Sequence, residues 1–272
     1  MVRQALGDRY TVDREIAAGG AARVFFARDQ GGRAVALKVL RPELLPSITA
    51  QRFLREISVL QKLDHPLIAR LLDYGEAGWF LYYVMEYVDG PTLRQYLDQH
   101  RQAPIEPTLR GSRELLDAVA HAHATGIMHR DVKPENIVLA PRGAILLDFG
   151  IARAVQVSEG ERVTRSGFTV GTSPYMSPEQ AAGSAEIDHR SDLYSLGCVL
   201  FESLAGRPPY QHQSEAALLE LHQKAAIPDV REFRREVSKP LAKVLAKTLA
   251  KAPQDRWQSA SQLKAALEKL TG

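Results

Sequence analysis

Met128-His129-Arg130-Asp131-Val132-Lys133-Pro134-Glu135-Asn136, followed downstream by Asp148-Phe149-Gly150, decides how this chain is read. The first stretch follows a helical pattern, Pro107 to Thr125, and precedes a short apolar run, Ile137 to Leu139. It is therefore a loop between a helix and a strand, and it gathers a carboxylate, a cation and an amide at Asp131, Lys133 and Asn136. A second apolar run, Ile145 to Leu147, returns through Pro141-Arg142-Gly143 as a hairpin and ends on Asp148. A carboxylate there can share a metal with Asn136, since both supply the hard oxygen that a small divalent cation prefers. Taken singly, each segment is weak, because an Asp-Phe-Gly tripeptide is usually a strand end with a turn.

Outward from these segments the chain divides in two. Tyr10 to Ala17, Arg23 to Arg28 and Ala34 to Leu40 are β-prone runs separated by Gly-containing turns, and they predict three antiparallel strands. Phe53, Ile57 and Leu60 recur at helical spacing within Thr49 to Leu63, ahead of Pro66. Ile68 to Tyr74 and Phe80 to Tyr87 add two strands around Glu76-Ala77-Gly78. Beyond Gly90-Pro91 the pattern turns helical, at Leu93 to Gln99, Pro107 to Thr125, Ser191 to Ala205, Glu215 to Gln223, Leu241 to Leu249 and Ser259 to Leu270. Between Asp192 and Ala205 the apolar residues cover almost every face, so this helix belongs at the centre of its lobe.

Composition sets the outer bounds. The 272 residues are enough for one large domain or two lobes, and 25% charged with 45% hydrophobic residues excludes a disordered or fibrous chain. A net charge of +3 gives no argument for a nucleic-acid or membrane partner. The one cysteine, Cys198, can make no internal disulfide, which fits a reducing cytoplasm. Leu193 to Leu204, the most apolar stretch, is interrupted by polar residues and falls short of the roughly 18 apolar residues a membrane span needs. Lys243, Lys247 and Lys251 recur every fourth residue and read as a solvated helix face.

Over nearly its whole length the sequence resembles the protein kinase family. The matching segments are Ile16 to Val24 as the phosphate loop, Val35-Ala36-Leu37-Lys38, Glu56, His129-Arg130-Asp131 to Asn136, Asp148-Phe149-Gly150 and Ser177-Pro178-Glu179. Arg52-Phe53-Leu54-Arg55-Glu56, Gly171 to Gln180 and Ser191 to Gly197 look most like the bacterial Hanks-type Ser/Thr kinases. The resemblance implies an α+β, bilobal fold, with a small antiparallel β lobe carrying one helix (about 1–88) and a larger, mainly helical lobe (about 89–272). It implies ATP and Mg²⁺, with Mn²⁺ able to substitute, and a non-specific Ser/Thr protein kinase activity.

The resemblance also assigns roles. Lys38 would hold the α and β phosphates with Glu56 paired to it, Asp131 would act as base, Lys133 would neutralise the γ-phosphate, and Asn136 and Asp148 would ligate the metal. ATP would lie among Ile16, Ala17, Ala18, Gly19, Gly20, Ala21, Ala22, Arg23, Val24 and Ala36, with Val138 below, Met85 as gatekeeper, and the backbone of Glu86 and Val88 bonding adenine. Leu60, His129 and Phe149 match a stack that couples the lobes. Asp192 would hold the catalytic-loop backbone, and Glu179 with Arg256 would anchor the end of the activation segment. Thr164, Ser166 and Thr169 match autophosphorylation sites whose phosphate Arg130 would receive, aided by Arg153. Lys133 with Thr172 implies Ser or Thr acceptors on protein substrates, and a homodimer is the expected arrangement for autophosphorylation in trans.

One departure stands out. The family places glycine at the first, third and sixth positions of the phosphate loop, and here Ala17 and Ala22 occupy the outer two. Alanine at positive φ costs roughly 1–2 kcal/mol, so weaker nucleotide binding is expected, with an inactive scaffold of the same fold as the alternative. A small-molecule phosphotransferase is disfavoured by the intact Gly171 to Gln180 segment. The expected setting is the cytoplasm, or the intracellular part of a longer membrane-anchored protein.

Overall fold

Alternation in Ala34–Leu40 sets up the small lobe: Val35, Leu37 and Val39 are buried on one sheet face while Ala36 and Lys38 turn to the other. The computed structural model describes residues 6–18, 22–40, 50–78, 80–149 and 173–270, with the Arg52 side chain excepted. Gly19, Gly20, Ala21, Gly150, Arg153, Thr164, Ser166, Thr169 and Thr172 lie outside the described residues.

Strands β1 (Tyr10–Ala18), β2 (Ala22–Asp29), β3 (Ala34–Leu40), β4 (Leu71–Ala77) and β5 (Phe80–Glu86) form one antiparallel sheet in the order β1-β2-β3-β5-β4. Its outer face packs Val35, Leu37, Val39, Tyr82 and Val84 with Leu6. Its inner face presents Leu40, Tyr83 and Met85 to Phe53 and Ile57 of helix α1 (Ala50–Ser58), and these continue into the core of the large lobe. One apolar core thus spans both lobes.

Two boundary differences bear on how the small lobe is joined to the large one. The helix expected to run to Leu63 tightens into a 3₁₀ turn over Val59–Lys62, the usual way a helix uses up its last carbonyls. The strand expected from Ile68 begins at Leu71, because Ile68 instead bridges Leu146. Ala69 N–H donates to the Leu146 carbonyl at 3.0 Å and Leu146 N–H to the Leu67 carbonyl at 2.9 Å. The backbone entering β4 is therefore tied to the large lobe.

That lobe contains α2 (Leu93–His100), α3 (Ile105–Ala124), the hairpin β6 (Ile137–Ala140) and β7 (Gly143–Leu146), α4 (Pro178–Ala181), α5 (Arg190–Ala205), α6 (Glu215–Lys224), α7 (Lys239–Thr248) and α8 (Ala260–Glu268). Helix α5 is buried from Ser191 through Ala205, which places it at the lobe centre. Gly197 permits this packing: a β-carbon there would lie 2.8 Å from Cγ2 of Thr248 on α7. Gly90, between the lobes, is required more strictly, since at φ +148° a β-carbon would meet the Leu139 carbonyl oxygen at 2.5 Å. The connecting segment then lies along β6, with Thr92 bridging Val138.

The lysine stripe is corrected by the fold. Lys243 and Lys247 are exposed, but Lys251 lies past the end of α7 and donates to Tyr210 Oη at 2.9 Å and to the carbonyls of Leu221 and His222 at 3.1 and 2.7 Å. It closes the C-terminus of α6, where unpaired carbonyls attract a cation. Burial lowers its pKa to about 8.

Candidate active site

The catalytic-loop backbone hangs from one buried carboxylate. Asp192, in the first turn of α5, accepts from the backbone N–H of His129 at 2.8 Å and of Arg130 at 2.7 Å, and contacts His123 Nε2 at 2.8 Å. Burial pushes its pKa up, but the bond to His123 and the charge-favouring amides outweigh this and hold it below the ordinary carboxylate range. Nothing in the spacing of His123 singled it out from the sequence.

Arg130 and Asp148 both adopt the left-handed region, at φ 67° and 61°. For non-glycine residues this costs of order 1–3 kcal/mol, and it persists only where surrounding bonds over-determine it. Here they do. The His129 ring packs at a tilt against Phe149, centroids 4.7 Å apart, and its Nε2 reaches the Leu147 carbonyl at 2.6 Å, joining the loop to the residue before Asp148. Leu60 and Phe149 lie in the same buried core.

Asp131 is held asymmetrically. Its Oδ2 takes Lys133 Nζ at 2.9 Å and Asn136 Nδ2 at 3.2 Å, and Asn136 Nδ2 also donates to the Asp131 carbonyl at 2.8 Å. Its Oδ1 is buried with no hydrogen-bond partner among the described residues. An unpaired buried carboxylate oxygen is costly in a purely structural role, and it is the acceptor a proton donor would fill.

Lys38 is nearly buried at 7% exposure and pairs through Nζ with both oxygens of Asp148. Among the described residues Lys38 is thus paired with Asp148 and not with the expected Glu56. A desolvated ammonium needs a counter-charge, and the left-handed turn at Asp148 delivers one from across the cleft, while Glu56 sits half-buried on α1. Tyr83, beside this pair, has its phenol pushed well up by burial and by the charges of Asp148 and Asp131.

Most of the residues expected to line adenine lie on neighbouring strands of the small lobe, with Val138 on β6. Ala36 is paired with Met85, Val24 with Ala17 on one side and Lys38 on the other, and Val138 is buried on β6. Val88 packs against the core, and the Glu86 N–H is already given to the Arg70 carbonyl at 2.9 Å. The Glu86 side chain reaches across to Arg142 on the β6–β7 turn at 2.8 Å. Ile16, Ala17 and Ala18 are exposed, Ala22 is half-buried, and Arg23 is bound to Glu15 by two hydrogen bonds. Ala17, Ala18 and Ala22 are strand residues without positive φ, so the backbone strain expected of alanine at these positions is not present.

Glu179 and Arg256 meet in a two-bond ion pair, 2.8 and 2.7 Å, with the guanidinium fully buried. Burial raises the Glu179 pKa, but Arg256 more than compensates and the net direction is down. Gln180, beside it, donates to the Arg130 carbonyl at 2.9 Å. Its Ser-x-x-Gln spacing with Ser177 is a capping-box signal visible in the sequence, but that signal gives no hint of the loop contact.

The residues present fit a magnesium nucleotide. Asp148 and the Oδ1 of Asn136 are oxygen donors of the kind Mg²⁺ takes in ones and twos, alongside substrate phosphates. Lys38 and Lys133 bring two cations to the cleft where phosphates would lie.

Comparison with known proteins agrees with the geometry. Residues 10–267 match the model of the protein kinase domain. A probable serine/threonine-protein kinase of Streptomyces coelicolor is 40% identical over 97% of this chain and 40% of its own length. The serine/threonine-protein kinase PknB of Mycolicibacterium smegmatis is 42% identical over 97% of this chain and 43% of its own. The serine/threonine-protein kinase pkn3 of Myxococcus xanthus is 37% identical over 98% and 51%. The chain spans two-fifths to half the length of these relatives. With a five-stranded antiparallel lobe on a helical one, and the cleft between them built from these loops, the chain belongs to the protein kinase domain family.

Proposed function

We propose that this chain is an ATP-dependent protein kinase that transfers the γ-phosphoryl group to Ser or Thr hydroxyls of protein substrates. The observation that carries the reading is Asp131, with Oδ2 fixed by Lys133 and Asn136 and Oδ1 buried and unpartnered among the described residues. In this role Asp131 orients the acceptor hydroxyl and takes its proton, an effect worth roughly 10² to 10⁴ in rate. Lys133 neutralises charge on the transferred group, and Lys38, exchanging Asp148 for phosphate oxygens, holds the nucleotide. Asp148 and Asn136 would hold Mg²⁺, or Mn²⁺ in its place. When bound, the metal nucleotide supplies the phosphoryl group and the charge neutralisation that lets it leave.

Lys133 and Thr172 support Ser/Thr over Tyr acceptors. Thr164, Ser166 and Thr169 are the proposed autophosphorylation sites, modified in trans by a second copy and docked by Arg130, since a phosphate brings roughly −1.5 to −2 charges to that cation. The lobes divide near Val88-Asp89-Gly90. Among the described residues no helix is long and apolar enough to cross a membrane, and action on the cytoplasmic side is the reading we favour.

The test is transfer of ³²P from γ-labelled ATP to a generic basic protein, followed by phosphoamino-acid analysis. Label on Ser and Thr that EDTA abolishes is expected. Absence of label, or label on Tyr alone, overturns the proposal. Mass spectrometry should find phosphate on the segment between 153 and 173, and active enzyme without any there would remove the autophosphorylation part.

A further inference from the structure

Gln180 occupies a position that its helix alone does not require. It is the third residue of α4 (Pro178–Ala181), 7% exposed, and its side-chain amide is used at both ends. Oε1 accepts from the Ser177 N–H at 3.0 Å, completing the capping box, and Nε2 donates to the Arg130 carbonyl at 2.9 Å. One donor and one acceptor partner fix the amide in a single orientation.

The carbonyl it reaches belongs to the peptide joining Arg130 to Asp131. That peptide follows the left-handed Arg130, and it is held at both of its own polar groups and through the peptide before it. Asp192 Oδ1 takes the Arg130 N–H at 2.7 Å, the Asp131 N–H donates to His129 Nδ1 at 3.2 Å, and Gln180 takes the carbonyl. The first two come from the core of the lobe. The third comes from the end of the activation segment, where the neighbouring Glu179 is locked to Arg256 and Ser191. We infer that Gln180 is a positioning residue for phosphoryl transfer: it fixes the plane of the Arg130–Asp131 peptide, and so the Asp131 carboxylate, only when the anchored end of the activation segment is docked.

Arg130 sits in a strained well that persists only while surrounding bonds over-determine it, and a change in its ψ, which turns the following peptide, would displace the Asp131 side chain. Gln180 blocks the turn by holding the carbonyl. A misplacement of about 1 Å at the reacting groups can cost roughly 10² in rate. Glutamine suits the position because glutamate would keep the capping acceptor but face the carbonyl with a second oxygen, which repels it.

This inference rests on the proposed kinase activity, and the variants separate the loop bond from the cap. Gln180→Glu keeps the cap and loses the loop bond, Gln180→Ala loses both, and Ser177→Ala weakens the cap while leaving the loop bond. Measured on phosphorylation of a generic protein, both Gln180 variants should lower kcat roughly 10- to 100-fold with KM for ATP changed less than about twofold, and their kcat should be independent of solvent viscosity, as it is when chemistry limits. Ser177→Ala should keep kcat within about threefold even where its Tm falls. If Gln180→Glu does not fold, Gln180→Met, of similar length and without the amide, must show the same kcat loss. Wild-type kcat in Gln180→Glu or Gln180→Met, or a kcat loss in Ser177→Ala equal to that of Gln180→Ala, overturns the inference. A wild-type enzyme that transfers no phosphate instead overturns the activity itself.

Discussion

Asp131 and Lys38 show what a single residue's identity settles and what only its surroundings do. The carboxylate at 131 and the lysine at 38 could be named from their loop and strand, because residue type and spacing carry that information. The partner of Lys38 could not, since the choice between Glu56 and Asp148 depends on where a left-handed turn far along the chain delivers its side chain. Glu179 and Arg256 make the stability case at this scale. Replacing Arg256 with Leu leaves Glu179 buried and unpaired, and should cost about 3–5 kcal/mol in urea unfolding, part of which Glu179→Leu in the same chain restores. Because the Glu179 pKa is lower folded than unfolded, the pair's contribution is complete above the ordinary carboxylate pKa of about 4.5 and fades as pH falls through the folded value. Arg256→Leu should therefore narrow the stability difference from the wild type as the pH is taken below 4.5, and a difference that stays constant there would show that the pair does not act in this way.

Elements were more legible than their ends. Strands β1 to β3 follow from β-prone runs bounded by Gly-containing turns, and helices α2 to α8 except α4 from helical patterns long enough to show, α5 among them as a run apolar on almost every face. The start of β4 did not follow, because the partner of Ile68 is β7 in the other lobe, and a non-local bridge leaves no local pattern. Helix α4, of four residues, is too short for any period to show. Ala17, Ala18 and Ala22 proved to be extended strand residues, which removes strain at these positions as a cause of weak binding and leaves their methyl groups as the obstacle to the proposed nucleotide. Ala17→Gly with Ala22→Gly should then lower KM for ATP modestly, by roughly two- to fivefold, with a small loss of stability from two glycines in strands. An unchanged KM would show that the methyls do not obstruct the phosphates.

At the scale of the whole molecule, the two-lobed division was readable from the switch of periodicity after Gly90, whereas the continuity of one core through both lobes was not. That continuity arises from Phe53, Ile57, Tyr83 and Met85 packing with residues of the helical lobe, contacts that span most of the chain. A buried histidine ties global stability to pH. Burial and the nearby Lys251 push the His222 pKa down to about 3, so it stays neutral in the folded state while the unfolded chain takes up a proton below about 6.5. Stability should fall between those pH values by up to about 1.4 kcal/mol per pH unit from this group, and His222→Gln should flatten that slope whatever its stability at pH 7. A slope unchanged by the substitution would assign the acid sensitivity to other groups.

The central claim is that the cleft between the lobes transfers phosphate through Asp131. It is tested most directly by comparing initial rates of ³²P transfer from Mg-ATP by the wild type and by Asp131→Asn, which keeps the shape and removes the base. A rate lower by roughly 10² to 10⁴ with KM for ATP little changed is the predicted result. Equal rates in the two proteins would contradict it.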